Sequence, residues 1–514
     1  MATITLDTPE MVIEELGKDA CDANFRGGLG IFGSDNCEGF SHSKHKLYGF
    51  LPFFHRHWLN GKKIHYENTP ARHLGTLEIH PTLRPVDIFK IKRANIDIFG
   101  IHQDIINDVL YTGDRWKRLQ QHVTNGHAAP MCMKQQGIKP DISWINESHS
   151  AIAIPVILED PYFRGVKILF TTHTPVEAGM EKFDFDFNEL RISEKYRSVF
   201  MHNGRIDLNW GGMSLAHLIN TVSEEHCQRM KEMFPEFAHK MVNVTNGSGR
   251  NSWMSPRLKA LGDNIDLQKL AEAHRADKAD LIDFIHRESG IRLDPNKLLM
   301  AWTRRLTNYK RQYPMLAPVI DAICADRNTY VDTPLGKLRG CGIQHLGVGV
   351  AHETERECQD WVNHFNNWTT NGLKGRFVFI PSYGLEFLKR TSWGADIWFS
   401  CPRKREEACG TSEERAQING NPNITVCTGG MAEHVEDFDP INCSGNGLFI
   451  EPDEPIHLYY KSLALSDLYY DWTMNGNNRW LRLRMNAFET GKKLDATIMA
   501  QKYEAIFEKL LQMP

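Results

Sequence analysis

Five clusters of polar residues stand where apolar runs end, and each has its own chemistry. Thr303-Arg304-Arg305-Leu306-Thr307-Asn308-Tyr309-Lys310-Arg311 packs four basic side chains into eight positions. Guanidinium and ammonium groups so grouped clamp a phosphate or diphosphate, although a solvated basic patch has the same composition. Glu406-Glu407-Ala408-Cys409-Gly410-Thr411-Ser412 offers a carboxylate that can accept from sugar hydroxyls. A helix start follows whose N–H groups can meet an anion, and a plain capped helix competes as the explanation. In Pro140 to Ser150, the side chains of Asn146, Glu147 and His149 close a β-like run. They suit hydroxyl recognition, or Asn146 or Ser148 simply caps a helix. Pro175 bars easy helical continuation after Thr171-Thr172-His173-Thr174, which exposes His173 on a turn where a structural hydrogen bond is the ordinary role. Arg26-Gly27-Gly28-Leu29-Gly30, followed by Gly33-Ser34-Asp35, allows backbone amides to approach an anion, and equally marks a tight turn.

The elements that must position these clusters alternate between strand-like and helix-like stretches. Ile96 to Ile101, Asp141 to Ile145, Val166 to Thr171 and Met241 to Val244 read as strands, and Leu215 to Met233 reads as helix. That rhythm predicts an α/β fold with parallel sheets. A charged helical segment, Asp263 to Glu288, leads through Leu293-Asp294-Pro295 into a fresh strand, Lys297 to Trp302, which sets a domain change near residue 290. Strands at Gly342 to Val348, Arg376 to Ile380, Ala395 to Phe399 and Ile424 to Val426 then build a second doubly wound unit. Leu494 to Leu511 closes the chain with apolar residues at helical spacing. The expected organisation is 1–290, 291–490 and a terminal helix, 491–514, that crosses back to the first domain. Two such domains put the chemistry at the carboxyl ends of both sheets, in the cleft between them.

Composition excludes several classes. At 514 residues the chain exceeds what one core usually supports. Lys and Arg number 60 against 64 Asp and Glu, with no basic run standing apart, so nucleic acid is not an expected partner. The first residues lack a basic-then-apolar signal pattern, and no apolar run reaches about 18 residues, so a cytoplasmic protein away from membranes is expected. Eleven cysteines, none spaced C-x-x-C, point to reduced thiols. With 23 histidines some meet by chance, and no metal site is expected.

Taken in order, the motifs resemble the α-glucan phosphorylase family over nearly the whole chain, particularly its shorter prokaryotic members. The resemblance runs through the Gly-Gly-Leu-Gly run, Leu110 to Arg115, the Asn-Glu-x-His stretch and Thr172-His173-Thr174-Pro175-Val176-Glu177-Ala178-Gly179. It continues in Val244-Thr245-Asn246-Gly247, Tyr309-Lys310-Arg311, Asp396-Ile397-Trp398, Glu407 to Ser412 and Asn419-Gly420. It implies the GT-B fold, two Rossmann-like domains serving retaining glycosyl transfer. By the same resemblance His173, Arg305, Lys310 and Glu407 are the catalytic set, with Arg305 and Lys310 on phosphate. His173 would lie beneath the sugar ring, its main-chain carbonyl near the anomeric carbon. Gly27, Gly28, Asn246, Tyr309, Ala408, Cys409, Gly410, Thr411 and Arg415 would line the donor, while Glu147 and His149 would touch acceptor or sugar hydroxyls.

One departure changes the expected mechanism. The family holds pyridoxal phosphate on a lysine eight residues after the sugar-binding glutamate, and that position here is Arg415. A guanidinium stays protonated at physiological pH and is no practical imine-forming nucleophile, so no pyridoxal cofactor is expected. Three accounts stay open. In the preferred one an activated donor, a nucleotide sugar, gives its sugar to a carbohydrate or small-molecule hydroxyl, with Arg415 on a phosphate or base. In the second, a phosphorylase-like enzyme uses sugar 1-phosphate and glucan. In the third, a non-catalytic homologue binds carbohydrate or a partner. A homodimer also stays open.

Overall fold

The computed structural model describes residues 1–513 except 177–178, 263, 326–328, 341 and 354, so Glu177, Ala178 and Asp263 of the motifs above lie outside the described residues. The chain forms two compact units, Met1–Gly249 with Ala496–Pro514, and Arg250–Asp495.

The first unit holds strands β1 (Thr3–Asp7), β2 (Lys46–Phe53), β3 (Arg72–Leu77), β4 (Val86–Arg93), β5 (Ile96–His102), β6 (Ile142–Asn146), β7 (Lys167–Thr171), β8 (Lys182–Phe183), β9 (Met201–His202), β10 (Arg205–Asp207), β11 (Leu218–Thr221) and β12 (Met241–Asn243). Nine make one sheet in the order β12-β11-β7-β6-β1-β2-β5-β4-β3. From β12 to β5 neighbours are parallel, and β4 and β3 finish the edge antiparallel. Parallel strands are covered on both faces and therefore read as unbroken apolar runs, as in the fully buried Ile142–Asn146. The terminal helix Ala496–Gln512 belongs to this unit: Tyr503 packs against Trp144, and Asn220 donates to the Tyr503 hydroxyl at 2.9 Å.

One element differs from the sequence expectation, and one was not anticipated by it. Leu215 to Met233 is not one helix, because Leu218–Thr221 is β11 and the helix is Glu224–Met233, capped by Ser223 accepting from His226 N–H. A short apolar run fits either period, and pairing with β7 decides it. The amino-terminal Thr3–Asp7 is also a strand, central in the sheet, pairing with β2 and β6.

The second unit contains β13 (Leu299–Thr303), the hairpin β14 (Thr329–Thr333) and β15 (Gly336–Gly340), then β16 (Gln344–Val348), β17 (Phe377–Ile380), β18 (Ile397–Phe399), β19 (Asn423–Thr425) and β20 (Gly447–Phe449). Its six-stranded parallel sheet has the order β17-β16-β13-β18-β19-β20. The boundary near 290 is corrected to Gly249–Arg250. Helix Leu267–Ser289 packs Leu281, Ile282 and Ile285 onto Leu299, Ala301, Leu346 and Val378 of this second sheet. It is also bolted there by charge: Asp396 receives Lys278 at 2.6 Å, His274 at 2.9 Å and the Leu299 N–H at 2.8 Å. The Leu-Asp-Pro signal therefore marks a loop inside a unit. Among the described residues no helix is long and apolar enough to cross a membrane.

Candidate active site

In the second unit, β13 continues past its end by backbone bonds from Arg304 N–H to Val348 O (3.0 Å) and from Leu306 N–H to Val350 O (2.8 Å). This delivers the basic segment at the carboxyl edge of the sheet. The turn Asn308–Lys310 is stapled down by Arg311, whose backbone is left-handed (φ 51°). Its guanidinium donates to the carbonyls of Cys401 and Pro402 (3.1 and 3.0 Å) and to Asp453 (2.9 Å). Lys310 Nζ meets Glu407 Oε2 at 2.6 Å and lies over the Tyr309 ring. Burial opposes the ammonium charge, but Glu407 and Tyr309 outweigh it and hold Lys310 above the usual lysine range. Arg305 is half-buried beside Tyr309.

Ala408, Cys409 and Gly410 lead into the helix Thr411–Ile418, with Gly410 at its cap. Gly429, missed in the sequence, closes on this loop in a left-handed conformation (φ 57°), and a Cβ there would sit 2.6 Å from the Glu407 carbonyl oxygen. Its only sequence signal is the Gly-Gly pair four residues beyond β19. Arg304, which the resemblance left without a role, is buried and braces the helix start, donating to Ser400 (3.0 Å), Ser412 (3.1 Å) and Glu413 (3.1 Å). Burial pushes the Glu413 carboxyl up, yet Arg304 and Lys310 win and hold it below the usual carboxylate range.

Arg415 is also buried, with its guanidinium 4.5 Å from the centre of the Trp253 ring and donating to Thr411 Oγ1 at 3.1 Å. Asn419 ties this pair together, its amide donating to the Trp253 and Arg415 carbonyls at 3.0 and 2.9 Å. The position thus presents a stacked guanidinium and no amine.

In the first unit, Gly28 opens the helix Gly28–Gly39 and Gly27 is its extended N-cap, so no left-handed turn occurs at the glycine cluster. Gly30 is needed for packing, since a Cβ would lie 2.6 Å from Phe25 Cβ. Glu10, another residue the sequence did not flag, accepts from the Arg26 N–H (2.6 Å) and the Tyr111 hydroxyl (2.9 Å) beside this helix start.

Parallel pairing sets Asn146 opposite Thr171, so Glu147 and His173 leave β6 and β7 side by side. Glu147 is buried at φ 63°, ψ 167°, a conformation that costs a non-glycine residue of order 1–3 kcal/mol. Its carboxylate accepts from the His173 and Ser148 N–H groups and from Thr174 Oγ1. Burial raises its pKa to about 7 despite those bonds. His173 Nε2 faces Asn146 Oδ1 at 3.2 Å, and burial pushes its imidazole down to about 3, which keeps it neutral. His149 is drawn elsewhere: its Nε2 lies 3.7 Å from Glu181, which Arg115 and Arg118 also hold. Asn246 follows β12, with its N–H on the Val222 carbonyl and a buried Oδ1 that has no hydrogen-bond partner among the described residues. The fold therefore assembles Tyr309, Lys310 and Glu407 in one unit and Asn146, Glu147 and His173 in the other, while the His149 ring faces Glu181.

A family model described as starch synthase catalytic domain matches residues 25–246. The maltodextrin phosphorylase of Thermococcus litoralis is 24% identical over 500 residues, covering 80% of this chain and 59% of its own length. The glycogen phosphorylase of Mycobacterium tuberculosis is 23% identical over 484 residues, covering 77% and 55%. An uncharacterized protein of Methanocaldococcus jannaschii is 23% identical over 416 residues, covering 77% and 74%. The chain thus spans little more than half the length of the curated phosphorylases it matches. Among solved structures, the catalytic domain of starch synthase IV from Arabidopsis thaliana, bound to ADP and acarbose, matches with a TM-score of 0.78 at 15% identity over 100% of both chains.

Proposed function

We propose that this chain, a divergent phosphorylase-like protein with the GT-B fold, is a retaining glycosyltransferase that works without pyridoxal phosphate. It takes a sugar from an activated donor, a nucleotide sugar, and gives it to a carbohydrate or small-molecule hydroxyl. The observation that carries this reading is the Lys310–Glu407 pair at 2.6 Å, standing before a helix whose family lysine has become the stacked Arg415. The anion and sugar groups are kept while the cofactor tether is gone.

When a donor binds, its phosphate competes with Glu407 for Lys310, which frees the carboxylate to accept from a sugar hydroxyl. Arg305 and Lys310 neutralise the leaving phosphate, aided by the amides of Cys409, Gly410 and Thr411. Such preorganised charge is usually the largest catalytic contribution. The bond from the anomeric carbon to the phosphate oxygen breaks as the acceptor oxygen attacks from the same face. The acceptor's proton passes to the departing phosphate, so retention needs no carboxylate pair of the glycosidase kind. His173, neutral and aligned by Glu147 and Asn146, supplies its main-chain carbonyl toward the anomeric charge. In this reading Arg415 serves the donor indirectly, by fixing the helix that carries the Gly410 and Thr411 amides. The ten described cysteines are free thiols, which suits a cytoplasmic setting.

Thermal stabilisation tests the proposal, because a ligand of the native state raises apparent stability. Nucleoside diphosphates, nucleotide sugars, glucose 1-phosphate and pyridoxal phosphate are compared on the wild type and on Lys310→Ala. One nucleotide and its sugar conjugate should stabilise the wild type, and the variant should lose the effect. The names of the curated relatives favour a second reading, a phosphorylase using sugar 1-phosphate and glucan, and stabilisation by glucose 1-phosphate alone would select it. No response to any of these ligands would leave a non-catalytic binding homologue.

A further inference from the structure

Away from the groups assigned to sugar transfer, the described residues gather two imidazoles and a carboxylate in two places. In the set His122, His149 and Glu181, the carboxylate is already neutralised by Arg115 and Arg118, each at 3.1 Å, which leaves little charge for a cation. In the set His55, His102 and Asp104, no Lys or Arg among the described residues forms an ion pair with the carboxylate.

Strands β2 and β5 run parallel with Phe53 beside His102. His55, two residues past β2, and Asp104, two past β5, therefore emerge at the same sheet edge. The backbone of His55 is fixed on both sides, its N–H donating to Asn107 O at 2.8 Å and its carbonyl accepting from Ile64 N–H at 2.7 Å. Gln103 Oε1 accepts from the Ile105 and Ile106 N–H groups at 3.1 and 2.8 Å, which shapes the turn presenting Asp104. Asp104 Oδ1 consequently lies 2.8 Å from His102 Nε2 and 3.2 Å from His55 Nδ1.

The hydrogen-bond roles at this point conflict unless a positive charge joins them. His102 Nδ1 lies 3.0 Å from the Phe53 carbonyl, which can only accept, so Nδ1 carries the ring proton. In the neutral ring Nε2 then aims a lone pair at a carboxylate oxygen, itself an acceptor. His55 Nδ1 is buried and, beyond Asp104 Oδ1 at 3.2 Å, has no polar partner among the described residues. An imidazole whose far nitrogen is anchored on a backbone carbonyl is oriented as metal-ligating histidines are. Tyr66 packs edge-on to the His102 ring at 5.2 Å and holds that orientation.

We propose that His55, His102 and Asp104 bind one divalent cation of the zinc class. With bonds of about 2.0–2.2 Å, tetrahedral ligands stand roughly 3.3 Å apart, against 2.8 and 3.2 Å from Asp104 Oδ1 to the two ring nitrogens, with all three ligand atoms within 4.8 Å of one another. The Asp104 side chain is 68% exposed, which leaves the remaining position to water. The ion ties the loop after β2 to the turn after β5. None of the three residues has a part in the sugar chemistry proposed above, so binding is separable from activity.

The test uses the full-length protein, stripped with chelator and titrated with zinc chloride in calorimetry against a competing chelator. Wild type should take up one tight equivalent, and Asp104→Ala should weaken it by about 10-fold or more. Zinc should also raise the melting temperature of wild type and not of the variant. Asp104→Asn, which keeps the side-chain shape, gives the same comparison should the alanine variant fail to fold. Absence of a tight equivalent in wild type, or an equivalent unchanged by both substitutions, overturns the site.

Discussion

Lys310 and Glu407 satisfy one another at 2.6 Å, so in the proposed reaction a donor separates them, and binding and alignment become one event. Glu147 is constrained in a different way. Three donors, a left-handed backbone and full burial fix its carboxyl between β6 and β7, and burial lifts its pKa from 4.5 to about 7. A carboxyl whose pKa is raised by folding binds its proton more tightly in the native state. Its stabilising contribution is therefore complete below about pH 4.5 and is lost as pH rises through about 7. Glu147→Gln, which mimics the protonated form, should flatten the fall in stability across that window by on the order of 3 kcal/mol at most. Urea unfolding at a series of pH values measures it. Some slope should persist, because burial also raises Asp7 to about 7. An unchanged profile would mean that Glu147 titrates alike in both states.

At the scale of elements, helix Leu267–Ser289 shows how a buried charge can set a boundary. Burial works against the Asp396 carboxylate, but Lys278, His274 and Arg484 outweigh it and hold its pKa below the usual range. This contribution is present above the unfolded carboxyl pKa and is lost as pH falls below it. Asp396→Asn leaves Lys278, only 4% exposed at its side chain, without its counter-ion. The expected cost is about 3–5 kcal/mol, read from the midpoint of chemical unfolding. A cost under about 1 kcal/mol would show that apolar packing alone holds the helix. The short helix Thr411–Ile418 is fixed from both ends instead, by Arg304 at its first turn and by the Arg415–Trp253 stack within it.

For the whole molecule, the division at Gly249–Arg250 predicts which fragment is autonomous. Residues 250–495 produced alone should unfold in one cooperative transition, followed by circular dichroism, whereas 291–490 should not. The shorter piece lacks the helix that covers Leu299, Ala301 and Leu346. Equal cooperativity of the two fragments would return the boundary to residue 290. The parallel α/β class, most strands and the places of the polar clusters were legible in the sequence, because buried parallel strands are continuous apolar runs and the clusters fall at their ends. The sequence also places an arginine, Arg415, in the helix that follows Glu407, and the structure stacks it on Trp253. Tertiary structure alone decided that Thr3–Asp7 is a central strand, that Leu218–Thr221 pairs with β7, and that the helix before residue 290 belongs to the second sheet. It alone drew His149 toward Glu181 and brought His55 and Asp104 together across two loops. The physical reason is the same throughout: local periodicity fixes what a segment can become, while pairing partners and ion partners lie far away in the chain and are chosen only when the sheets close.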